Sequence, residues 1–248
     1  MEYVLLAVWC FVVALGGGLV GLVLGNLRLP AVLLLASSPG AGTGSNIGIS
    51  AIAAATASIA HVRAGRINWR LFRWMAPPSI AGAILGGYLS GEIPGDVLLF
   101  AIAAVLLFSA VELLRKPAPR PPRRAREDLD IPAAVLAGAV IGLLGGIVGL
   151  ILGSLRMPAL LRIVGEQPAK AVGTNVTVGF CVGIAGVIGH LPSAAPDWGL
   201  LAVGSIASIP GALLGSRLTG RLSDEALLRA IGVVLLVAAA SMVVSALT

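Results

Sequence analysis

Long uncharged apolar runs with brief polar punctuation set the pattern of this chain. Leu29 through Ala60 contains no Asp, Glu, Lys or Arg, and neither does Ile131 through Leu155; each run exceeds the roughly 20 residues a helix needs to cross a bilayer. Apolar stretches near 4–24, 46–60, 74–91 and 97–114 are followed by a second set near 131–153, 175–189, 198–216 and 227–247. A short proline-bounded segment follows the first stretch of each set, after "LRLP" and "LRMP". Open strands cannot satisfy their backbone in lipid, and the period-two alternation of a membrane barrel is absent. The pattern predicts an all-α integral membrane protein, with about four long spans and one short or re-entrant segment per half.

Composition agrees. Of 248 residues 58% are hydrophobic and 11% charged, and mean hydropathy is +1.01, more apolar surface than a soluble domain of this size can bury. The formal charge of +6 does not point to nucleic acid, because six of the 17 basic residues lie in "RKPAPRPPRRAR" (Arg115 to Arg126) with no interleaved aromatic residue. Proline and arginine make that stretch an extended juxtamembrane linker, placed in the cytoplasm by its charge. The organisation expected is a first repeat over 1–114, the linker over 115–130 and a second repeat over 131–248, in a multi-pass protein of the plasma membrane. "MEYVLLAVWCFVV" carries Glu2 in place of a basic n-region, so it reads as the first span and not as a leader. Cys10 and Cys181 lie in apolar stretches with no disulfide or metal spacing, which makes them packing residues. No metal and no cofactor is expected.

The halves are copies. Pro30 matches Pro158 at an offset of 128, whereas Asn46/Asn175, His61/His190, Trp69/Trp198, Gly82/Gly211 and Gly86/Gly215 match at 129, so one residue is inserted in the second half. Their loops carry opposite bias: Arg63, Arg66, Arg70 and Arg73 follow His61, while "HLPSAAPDW" has Asp197 and no base; "GEIPGD" is acidic where "GRLSDE" has Arg217 before it and Arg221 within it. Under the positive-inside bias, equivalent loops then lie on opposite sides, which requires an odd number of crossings per half and makes the repeats inverted. Inverted repeats with a site between them are a common plan of secondary transporters.

Arg28 and Arg156 are the candidate substrate ligands. Each follows a glycine-rich helix and precedes a proline by two residues, and a charge there costs about 2.5–3.5 kcal/mol at a span centre. A small anion would offset that, held by the guanidinium fork; the alternative is a helix-end arginine snorkelling to the headgroups. "TGSN" (Thr43 to Asn46) and "GTN" (Gly173 to Asn175) read as N-caps, whose amides and dipole, with Thr43, Ser45, Asn46, Thr174 and Asn175, add neutral donors for the anion. His61 and His190 occupy equivalent positions and are candidates for proton coupling, with an interfacial location as the alternative. Glu112 and Glu166, near span ends, are expected to be solvated. Gly82/Gly86 and Gly211/Gly215 favour close helix packing, within one subunit or between subunits of a homo-oligomer.

These features resemble the TauE/SafE sulfite exporter (TSUP) family of membrane permeases over essentially the whole chain. The resemblance is carried by the Gly-rich helix running into proline in each half (Gly16 to Pro30, Gly145 to Pro158), by "AVGTN" (Ala171 to Asn175) and its looser counterpart Ala41 to Gly44, and by the duplicated unit with its charged linker. It implies sulfite, thiosulfate, sulfonates such as sulfoacetate, or related small anions as substrates. The paired arginines depart from the aliphatic residue usual in the family near that position. An inside-negative potential drives anions outward, so export is the expected direction, with a proton-coupled importer or a channel as the alternative. No G-x-S-x-G or H-E-x-x-H motif supports an intramembrane enzyme.

Overall fold

The computed structural model describes residues 1–89, 95–115, 130–148, 150–190 and 195–247. Helices α1 (Glu2–Val20), α2 (Gly25–Leu33), α3 (Pro39–Arg63), α4 (Trp69–Tyr88) and α5 (Gly95–Arg115) form the first half. The second half has α6 (Ile131–Val148), α7 (Gly153–Pro158) running into a π-helical turn (Ala159–Val164), α8 (Pro168–His190), α9 (Trp198–Thr219) and α10 (Asp224–Leu247). Among the described residues there is no strand. Among the described residues six helices, α1, α3, α6, α8, α9 and α10, are long and apolar enough to cross a bilayer. Most of the proline–arginine linker, residues 90–94 and 191–194, and the side chain of His190 lie outside the described residues.

Each half turns back after its first helix. Helix α1 ends on Gly21 at φ 68°, a left-handed conformation that glycine adopts without strain, and the Leu22 amide returns to the Gly17 carbonyl at 2.9 Å. Leu150 does the same to Gly145 at 2.9 Å. The short elements α2 and α7 follow at once. Between Pro158 and Pro168 the second half has one residue more than the first has between Pro30 and Pro39, and the π-helical turn lies in that stretch. An inserted residue that keeps the helix intact produces such a wider turn.

The expected N-caps are corrected by the structure. Helix α3 starts at Pro39, with Ser38 as its cap accepting the Ala41 amide at 3.2 Å, and α8 starts at Pro168. Proline at the first helical position is already set for the helix. "TGSN" and "GTN" therefore lie inside helices, where backbone amides are used within the helix. These residues do not cap either helix.

Close packing follows the glycines. A Cβ on Gly211 or Gly215 would run into the backbone of Phe11, Leu15 and Leu19, and one on Gly18 into Ala212 and Ser216; α1 and α9 thus run parallel in near backbone contact. Gly82 and Gly86 bear in the same way on Ala139, Leu143 and Ile147, so α4 and α6 run parallel. Gly183 lies against Ala51, Gly186 against Ile47 and Gly173 against His61, so α3 and α8, equivalent in sequence, cross antiparallel. Helix α5 packs on α10. The α3–α8 pair is the most enclosed, with 61% of each span buried against 28% for α6, so its inward faces are where a site shielded from lipid can be built.

Candidate functional site

Arg28 of α2 is 2% exposed and Arg156 of α7 is 0% exposed. Neither reaches the surface, so snorkelling does not solvate either charge. Arg28 Nε donates to Asn46 Oδ1 at 3.0 Å, and Nη2 donates to the Asn46 carbonyl at 3.2 Å and to Ser50 Oγ. Asn46 Nδ2 in turn donates to the Gly25 carbonyl at 3.1 Å, so the asparagine brackets both the guanidinium and the start of the short helix that carries it.

The second half repeats this with a difference. Arg156 Nη1 donates to Asn175 Oδ1 at 3.3 Å, and Asn175 Nδ2 donates to the carbonyls of Gly153 at 2.9 Å and Gly21 at 2.8 Å. Arg156 Nε is buried and has no hydrogen-bond partner. Ser50 corresponds to Gly179, which has no hydroxyl to offer. Among the described residues the ion pairs are Arg162–Glu112 and Arg229–Glu225, so no carboxylate neutralises Arg28 or Arg156. Each guanidinium is thus buried without a carboxylate partner among the described residues, and a charge so placed attracts an anion because little water screens it.

The other expected residues make contacts of their own. Ser45 Oγ accepts the Asp197 amide at 2.8 Å, and Thr174 Oγ1 accepts the Asn68 amide at 3.0 Å. These are equivalent contacts that tie the start of α9 to α3 and the start of α4 to α8. Thr43 Oγ1 donates to the Pro39 carbonyl at 2.9 Å within its own helix. His61, in the last turn of α3, is 0% exposed, and neither ring nitrogen has a hydrogen-bond partner among the described residues.

Glu166 corrects a further expectation. It is 8% exposed rather than solvated, accepting Asn68 Nδ2 and the Gln167 amide, the latter at 2.9 Å. Glu112 is partly exposed and is paired with Arg162. Asn68 also caps α4 by accepting the Leu71 amide at 3.1 Å. Asn68→Ala removes the cap and leaves the buried Glu166 carboxylate with the Gln167 amide but without its side-chain donor, so it is expected to cost about 2 kcal/mol, read as a lowered thermal midpoint of the detergent-solubilised protein.

A cavity of about 20 Å³ lies beside Arg28, lined also by Ser50, Gly17, Ala54, Ala57 and Val176. That is room for about one water; a multi-atom anion needs the lining to yield. Sequence reasoning missed Ser50, although its place one helical turn after Asn46 puts both on the same face of α3. It also missed Asn26, whose amide donates to Ser241 Oγ at 2.8 Å and joins α2 to α10.

Membrane-crossing helices folded back on short elements, with two cations buried among them, define a multi-pass membrane protein with a charged centre inside its bundle. The family model described as sulfite exporter TauE/SafE matches residues 6–242. The chain belongs to that family of membrane transporters. It is similar to two Bacillus subtilis (strain 168) proteins, "Probable membrane transporter protein YunE" (22% identical, covering 88% of this chain and 87% of that protein) and "Probable membrane transporter protein YjnA" (27% identical, 85% and 87%). No solved structure matches the chain.

Proposed function

We propose that this transporter exports small sulfur-containing oxyanions, such as sulfite, thiosulfate or an organosulfonate, by alternating access around the centre built from Arg28, Arg156, Asn46 and Asn175. The observation that carries the proposal is the burial of both guanidinium groups without a carboxylate partner among the described residues. The substrate class rests on the family. Two inverted halves supply the alternating states: antiparallel α3 and α8, and the exchanged pairings α1–α9 and α6–α4, are what a two-fold axis in the membrane plane would generate. Ser45 and Thr174 also tie the halves together through Asp197 and Asn68, and Thr43 bonds within its own helix.

Export needs no coupling ion, because an inside-negative potential favours anion exit by about 2.3 kcal/mol per charge per 100 mV. The test is efflux from sulfite-loaded proteoliposomes under an imposed potassium diffusion potential, competed with thiosulfate, sulfoacetate, sulfate and chloride. The expected result is efflux that accelerates with inside-negative potential and is inhibited by sulfur oxyanions; potential-independent leak, or indifference to all of them, contradicts the proposal. A second reading, a proton-coupled importer, draws on the buried and unpartnered His61. Its mark is uptake driven by an inward proton gradient and lost in His61→Gln, whereas export predicts flux that ignores the gradient.

A further inference from the structure

The two arginines are related by the repeat but not equally committed. Arg28 spends Nε and Nη2 on Asn46 and Ser50. Arg156, wholly buried, keeps one hydrogen bond to Asn175 at 3.3 Å among the described residues and leaves Nε without a partner. The cause is readable in sequence: the hydroxyl at Ser50 has no counterpart at Gly179. A buried donor without an acceptor loses its hydration and gains nothing in exchange, and on a wholly buried cation a bound anion is the partner that restores both.

We propose that the anion is gripped by the open Nε edge of Arg156, while Arg28, held by Ser50, chiefly positions α2 and contributes long-range attraction. The proposal rests on the transport function above. The Nε edge presents parallel N–H groups that match two oxygens of one sulfite, sulfonate or carboxylate group, whereas a single-atom ion such as chloride cannot bridge them as well. The cavity beside Arg28 supplies the approach. Val23 lines that cavity, and its methyl group stands 2.7 Å from where a Cβ on Gly179 would be. Its backbone nitrogen is 3.2 Å from the equivalent point on Gly153, the first residue of the helix carrying Arg156. Val23 thus stands against Gly179 and against the start of the helix that carries Arg156, so a side chain at position 179 needs Val23 trimmed.

The test is equilibrium binding of sodium sulfite, thiosulfate and sulfoacetate to the purified full-length protein by titration calorimetry, with each variant first checked for a monodisperse folded state. Arg156→Lys should raise Kd by about tenfold or more, through loss of the forked donor, and by several times more than Arg28→Lys does. The Val23→Ala/Gly179→Ser double variant keeps both charges and gives Arg156 the hydroxyl that Arg28 has. It should weaken binding severalfold relative to Val23→Ala alone, whereas Ser50→Gly, which releases Arg28, should tighten it. Equal losses at the two arginines, or weaker binding in Ser50→Gly than in the double variant, overturns the assignment to Arg156 and leaves oxyanion transport standing. If the wild-type protein binds none of the three, the transport function falls and the proposal with it.

Discussion

Arg156→Gln is expected to remain folded and to lose sulfur-oxyanion exchange by about a hundredfold or more. Gln has an amide that can still donate to Asn175 Oδ1, and the substitution removes the desolvation cost of a fully buried guanidinium. Fold and thermal midpoint should therefore hold or improve. What disappears is the charge-assisted donation to the anion, about 1.5–3 kcal/mol per hydrogen bond, together with the Coulomb attraction inside the bundle. At about 1.4 kcal/mol per tenfold, two such bonds account for the expected loss. Full exchange in folded Arg156→Gln protein would make this arginine a strut and not a ligand.

The second large effect is structural. Gly215→Leu is expected to abolish the folded state, since a Cβ there already collides with the Leu15 carbonyl and comes within 2.8 Å of the Leu19 amide nitrogen. Both are backbone atoms of the facing helix, so no rotamer change relieves the overlap, and the penalty exceeds the about 1–3 kcal/mol usual for overpacking. α1 and α9 would have to part along their whole contact. Gly44→Ala is the contrast: the nearest atom to its Cβ is 3.6 Å away, and alanine favours the helix by about 0.5–1 kcal/mol. Size-exclusion profile and thermal midpoint in detergent read both variants.

Much of the molecule is legible in the sequence because it is written twice. The offsets of 128 and 129 locate both the repeat and the inserted residue, and the latter coincides with the π-helical turn after Pro158. Arg28 and Arg156 stand out because charge inside a span has few excuses, and the structure buries both. The failures concern partners distant in sequence. Ser45 and Asp197 are 152 residues apart, Thr174 and Asn68 are 106 apart, and Asn68 and Glu166 are 98 apart. No local pattern announces such contacts, so neither the ties made by Ser45 and Thr174 nor the burial of Glu166 is legible in the sequence. The starts of α3 and α8 were misplaced for a different reason: polar and glycine residues in "TGSN" and "GTN" look like helix ends by composition. Yet Pro39 and Pro168 had already set the first turn, and in a bundle interior small polar residues serve as packing and hydrogen-bonding faces.

The central claim is that a buried pair of arginines serves a saturable anion exchange and is not a fixture of the fold. Counterflow tests it most directly: proteoliposomes preloaded with unlabelled sulfite are diluted into a trace of labelled sulfite, and the label inside is followed over time. The expected result is a transient accumulation of label above equilibrium for the wild type, suppressed by external thiosulfate and absent in folded Arg156→Gln. A wild-type time course that only rises to equilibrium, or an overshoot that persists unchanged in the variant, would contradict it.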